Sequence, residues 1–202
     1  LGEHLASWGL TTVTMDLCHS TILDSDPPAD AALLLELGDE LGVGDVIYAG
    51  HSAGGLRSVL AAAQDPDAVA VLGLDLVDGD DLALDAAPSL TVPLRGLAGE
   101  ASDCNSGANG LAVYAAALDG AVLRVTEADH CDFEDPTDWL CGILCTGTNN
   151  SFSDDEIRAT VRALSTAYLL WQSSLDPQGE DWWTPGSPVH DAFLASGAVS
   201  WP

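Results

Sequence analysis

An α/β fold, a mostly parallel sheet with helices on both faces, is predicted by two features of the sequence. Short apolar runs alternate with helix-patterned segments, and the run at residues 68–76 (AVAVLGLDL) has no polar alternation until its aspartate. A strand covered on one face alternates apolar with polar, so an uninterrupted apolar run fits a strand buried on both sides. Alternating elements joined by short turns then favour parallel pairing through right-handed crossovers. The chain has 202 residues, 47% of them hydrophobic, enough to bury one sizeable core. It reads as a single domain over 1–202, with residues 176–202, rich in Trp, Pro and Gly, as a surface-wrapping tail.

The elements follow in order. Residues 1–10 (LGEHLASWGL) lack a basic start and read as an amphipathic helix rather than a signal peptide. Residues 10–15 (LTTVTM) are rich in β-branched residues and predict a strand feeding a loop at Cys18, His19 and Ser20. Asp26, Pro27 and Pro28 open a helix over 29–41, which Gly42 and Gly44 stop. Residues 46–49 (VIYA) predict a strand, residues 50–55 (GHSAGG) a tight turn, and residues 56–64 an alanine- and leucine-rich helix. Residues 90–97 (LTVPLRGL) predict a strand in which Pro93 implies an edge position or a bulge. A helix over 108–118, a strand over 121–125 and a long helix over 154–171 complete the pattern, the last capped by Ser153 with Glu156 three residues on.

Charge excludes some partners. Against 32 acidic residues stand five arginines and no lysine, a formal net charge of −27. Such a surface repels phosphate backbones and anionic headgroups, which argues against nucleic acid and anionic membranes. The acidity serves solubility, with adaptation to high salt as the sharper alternative. The longest apolar stretches, 31–35 and 68–74, fall far short of the roughly 20 residues that a transmembrane helix needs.

Four of the five cysteines, Cys104, Cys131, Cys141 and Cys145, are clustered, while Cys18 stands apart. No Cys-x-x-Cys pair is present and His130 is the only nearby histidine, so a zinc site fits poorly and no metal is assigned. The clustering favours disulfides and a secreted or periplasmic location over a cytoplasmic protein with buried thiols. The expected pairs are Cys104 with Cys131 and Cys141 with Cys145. Asp78, Asp80 and Asp81 lack the spaced ligands of a calcium loop and read as a solvated turn. Asn149, Asn150 and Ser151 form a glycosylation sequon if the source is eukaryotic.

The chemistry-bearing motif is Gly50-His51-Ser52-Ala53-Gly54, set between an apolar strand and an alanine-rich helix. That context, more than the motif alone, fits a strained turn that projects Ser52 Oγ above a sheet edge. A serine hydroxyl is a weak nucleophile and needs a histidine base oriented by a carboxylate. Among His4, His19, His51, His130 and His190, His130 follows a late strand downstream of the serine and is the expected base. His51 is expected to pack or to line a substrate pocket. The acid is Asp75 by preference, because a carboxylate closing a buried strand needs a partner. Asp78, Glu100 and Asp103 remain alternatives. Ala53 N–H, at the helix start, is the expected oxyanion donor, and the chemistry needs no cofactor.

The elbow GHSAGG, the segment VLGLDLVDG and the segment ADHCDFEDP together resemble α/β-hydrolases related to chlorophyllase, platelet-activating-factor acetylhydrolase and dienelactone-hydrolase-like esterases, over roughly residues 1–171. The resemblance implies a Ser52, Asp75, His130 triad and a small-molecule or lipid-like ester substrate. In that family, strands and a loop carrying a second oxyanion N–H precede the helix that here starts the sequence, so an N-terminally truncated version of the fold is expected. A lipase or polyester hydrolase using Trp182, Trp183 and Trp201 as an apolar platform is one alternative. A non-catalytic binding relative is the other.

Overall fold

The computed structural model describes all residues except 19, 22, 23, 135, 138, 140, 146, 148 and 149. His19 and the sequon residue Asn149 therefore lie outside the described residues. The chain forms α1 (Gly2–Ser7), a small antiparallel ladder of β1 (Ser20–Thr21) and β2 (Asp24–Ser25), and α2 (Pro27–Leu41). There follow β3 (Val46–His51), α3 (Ala53–Ala62), β4 (Ala68–Leu74), α4 (Leu82–Ala86), β5 (Leu94–Ala98), α5 (Leu111–Ala116) and β6 (Gly120–Val125). After a short 3-10 turn, His130–Phe133, come α6 (Cys141–Leu144), α7 (Asp154–Gln172), α8 (Pro188–Ser196) and β7 (Val199–Ser200).

Strands β3, β4, β5 and β6 lie side by side in that order, all parallel, and β7 joins β6 antiparallel to make a five-stranded, mostly parallel sheet. Side-chain alternation along the strands builds two cores. Val71, Leu94 and Val122 pack on one face with Leu56 and Val59 of α3 and Val113 and Tyr114 of α5. Leu72, Leu74, Leu97, Leu123 and Val125 pack on the other with Ile157, Leu164 and Tyr168 of α7. Both faces of β4 are therefore buried, which is why its sequence is apolar throughout. Among the described residues, no helix is long and apolar enough to cross a membrane.

Three expectations need correction. Residues 10–15 form no strand: they are largely exposed and take no place in either sheet. A strand exists by pairing, and β-branched composition does not make one where no ladder partner is offered. The strand expected from residue 90 starts at Leu94. Pro93 has no N–H to give the ladder, and its carbonyl instead accepts from Val71 N and the Tyr168 hydroxyl. The tail does more than wrap the surface, since it supplies β7 and buries Trp183, whose indole N–H donates to Leu164 O at 3.1 Å.

Candidate active site

The turn between β3 and α3 positions Ser52. Its backbone sits at φ 55°, ψ −129°, a region that costs a non-glycine residue strain and persists only where neighbours enforce it. Ser52 N donates to Leu74 O at 2.9 Å, pinning the turn to the next strand. The sharpness of the turn dictates Gly50, because a Cβ there would stand 2.3 Å from the carbonyl carbon and oxygen of Gly54. Ala53 is the first residue of α3, so its N–H has no acceptor within the helix.

Asp75 follows β4 at φ 42°, a left-handed conformation that aspartate tolerates better than most residues. His130 begins the 3-10 turn after β6, whose start Asp129 caps by accepting from Cys131 N and Asp132 N. These loops meet above the carboxyl ends of the parallel strands. His130 Nε2 lies 3.0 Å from Ser52 Oγ, and His130 Nδ1 lies 2.6 Å from Asp75 Oδ2. Asp75 and His130 are buried, so the Asp75 carboxylate has exchanged water for protein donors. Those donors are His130 Nδ1–H, Gly99 N–H to Oδ1 at 2.9 Å, and the Asn105 side-chain amide to both oxygens at 3.1 and 3.3 Å.

The other acids play different parts. Asp78 accepts from Ala83 N and Leu84 N at 2.9 and 3.0 Å, and so caps α4. Glu100 and Asp103 are exposed, and Glu100 Oε1 accepts from Glu127 N at 3.3 Å. The other described histidines are also committed elsewhere. His4 Nε2 meets Thr166 Oγ1 at 3.0 Å, tying α1 to α7, and His190 is buried with Nδ1 donating to Trp182 O at 3.1 Å.

His51 supports the histidine loop. Its Nε2 donates to His130 O at 3.0 Å, and its ring stacks on Phe133 with an interplanar angle of 13°. Burial, helped by the charge of His130, pulls its pKa from 6.5 down to about 4. At neutral pH His51 is uncharged, and its 3.6 Å approach to Glu134 is no charged pair. The linkage has a definite sign. The unfolded chain binds this proton below pH about 6.5 and the folded chain only below about 4. Stability is therefore full above the higher value and falls, by about 3 kcal/mol, as pH drops through the window. His51→Gln can still donate to the carbonyl without titrating, so its melting temperature by calorimetry is expected to fall less than the parent's between pH 7 and pH 4. Parallel curves for the two proteins would refute the assignment.

The cysteines pair differently from expectation. Cys104 bonds to Cys145 and Cys131 to Cys141, with Cα separations of 5.8 and 5.7 Å, and Cys18 is free. Cys141 and Cys145 stand one helical turn apart, with Cys145 N donating to Cys141 O, and each reaches out to a different loop of the candidate site. No residue of α6 is buried, so these bridges are its principal anchors, one beside His130 and one beside Asn105. The sulfurs of Cys131, Cys141 and Cys145 lie within 4.8 Å of one another, but as disulfides they offer no thiolate to a metal.

Asn105 was not foreseen. Nothing in the local sequence distinguishes it, since its role depends on the loop after β5 folding back beneath Asp75. Compared with protein-family models and with curated proteins, the chain matches none.

Proposed function

We propose that the chain is a serine hydrolase of the α/β-hydrolase fold that cleaves carboxylic esters through an acyl-enzyme. The observation that carries this reading is the unbroken relay from Asp75 through His130 to Ser52 Oγ on a strained strand-to-helix turn. In this reading His130 Nε2 takes the serine proton as Oγ attacks the ester carbonyl. Asp75 holds the imidazole in the tautomer with Nδ1–H, and steadies the imidazolium as it forms. Ala53 N–H, aided by the positive end of α3, stabilises the oxyanion. His130 then protonates the leaving alkoxide, and a water activated by the same nitrogen releases the acid. The likeness of the elbow and histidine segments to chlorophyllase-related and dienelactone-hydrolase-like esterases supports the same reading. Two disulfides fit an oxidising, extracellular-type environment, and we assign the chain there. A fluorophosphonate probe tests the proposal: labelling of Ser52 is expected, and a folded chain that takes no label would favour the non-catalytic binding reading.

One observation favours a water-insoluble ester as substrate. Trp139, Ile143 and Leu144 are 77%, 67% and 68% exposed, and they lie on the segment stapled beside His130 by Cys131–Cys141. Scattered exposed apolar residues are ordinary, whereas three within six residues beside a catalytic loop form a contact surface. Of the tail platform only Trp201 is exposed, because Trp183 is buried and Trp182 packs on Phe193 at 5.2 Å. Burying one large apolar side chain contributes about 1.5–3 kcal/mol. Ile143→Ser with Leu144→Ser is therefore expected to slow hydrolysis of emulsified tributyrin at least about 10-fold and leave soluble p-nitrophenyl acetate unchanged. Equal effects on both substrates would remove the interfacial reading and keep the esterase.

A further inference from the structure

Asn105 has no solvent exposure, and each polar atom of its amide is engaged. Oδ1 accepts from Ser102 N at 2.8 Å and from Ala108 N at 2.9 Å. These two donors fix which end of the amide is oxygen, because the opposite rotamer would set an NH2 against two N–H groups. Nδ2 consequently faces Glu100 O at 2.8 Å and both oxygens of Asp75. The loop is wound tightly around this side chain: Ser106, Gly107 and Ala108 have φ of 52°, 70° and 60°, and Cys104 on the other side is bridged to Cys145. Successive left-handed residues are costly and persist where the surroundings hold them.

We propose that Asn105 is a positioning residue of the triad, which fixes the Asp75 carboxylate against His130 and spreads part of its negative charge away from the imidazole. The inference rests on the proposed hydrolase reading for its kinetic consequence, and on geometry alone for its effect on His130. A carboxylate with three kinds of donor shares its charge among them. Without the amide, more of that charge acts on the imidazole, so the protonated ring is favoured. Asn105→Asp keeps an acceptor for Ser102 and Ala108, and because two buried carboxylates about 3 Å apart cannot both ionise, the pair shares a proton that stands in for the amide donor. The neighbouring groups are His51 and Glu134, Asp129 and Asp132 of the histidine turn, Glu100 on the Asn105 loop, Ser52, and Tyr114 from beneath the sheet. Burial, and secondarily Asp75, push the Tyr114 phenol well above its ordinary range. All of these are common to parent and variants, so the difference isolates residue 105.

The experiment compares the parent with Asn105→Ala, Asn105→Ser and Asn105→Asp in the full chain, each checked for fold by circular dichroism. Two readouts are taken: the pH dependence of kcat/KM on p-nitrophenyl acetate, and NMR titration of the His130 ring protons. For Asn105→Ala, the acid limb of kcat/KM and the His130 titration are both expected to move up by about one pH unit. Asn105→Asp and Asn105→Ser, which each restore a donor to Asp75, should move them less. A folded variant set that loses activity but titrates with the parent would overturn the proposal and make Asn105 merely structural. So would failure of all three variants to fold. If the parent cleaves no ester and takes no fluorophosphonate, yet the NMR shift appears, the hydrolase reading falls and the positioning role stands.

Discussion

Ser52→Ala is expected to abolish fluorophosphonate labelling, and to lower kcat on p-nitrophenyl esters by on the order of 10⁴- to 10⁶-fold. His130→Ala should cost about as much, because in serine hydrolases the nucleophile and base act as one unit. His130 Nε2 stands 3.0 Å from Ser52 Oγ, within reach for proton transfer, and no other described histidine is bonded to the serine. The double variant should therefore be no slower than either single one, whereas two independent contributions would multiply. Ser52→Ala does not threaten the fold at this turn. Alanine keeps the Cβ of Ser52, and the constraints at φ 55° come from the backbone bond to Leu74 and from Gly50, which remain. Steady-state kinetics of the three variants decide the matter. If Ser52→Ala kept more than about 1% of parental kcat after active-site titration, the nucleophile would lie elsewhere and the ester-hydrolase reading would fail.

What the sequence disclosed divides by range. Local signals were legible: Ser153 and Glu156 form the reciprocal cap at the start of α7, and Gly42 closes α2 in the left-handed conformation. The buried run ending in Asp75 announced a two-sided strand, and the same burial logic singled out Asp75 as a carboxylate needing a partner. Non-local features were less legible. Residues 10–15 carry strand propensity, but pairing depends on a neighbour that propensity does not encode. The disulfide pairing is not legible, because it depends on one helical turn that directs Cys141 and Cys145 to Cys131 and Cys104 on separate loops. Asn105 was invisible for the same reason: an amide becomes important only when a loop brings it beneath a carboxylate 30 residues away. Trp183 looks like a surface residue in a Trp- and Pro-rich tail until α7 offers its indole a carbonyl.

Asp75→Asn is expected to lower kcat by on the order of 10⁴-fold while leaving the fold intact, the effect of setting the base in the wrong tautomer. The amide that replaces the carboxylate can present an NH2 to His130 Nδ1, which turns the ring's proton to Nε2, where it faces Ser52 instead of accepting from it. The same substitution at the rival acids should behave otherwise. Asp78→Asn weakens two bonds to the start of α4, so about 1 kcal/mol of stability is at stake and kcat should stay within a few-fold. Glu100→Gln and Asp103→Asn alter exposed side chains and should change kcat less than about twofold. Four kinetic constants, set beside four melting temperatures, separate an orienting carboxylate from a capping one. A collapse of activity in any of the other three, with Asp75→Asn near the parental rate, would mean that the 2.6 Å contact between Asp75 and His130 does not serve the chemistry. The Asp75 contacts predict the opposite pattern. Its carboxylate is buried behind the imidazole and hydrogen-bonded through both oxygens, the placement that the proposed role of steadying a cationic imidazole requires.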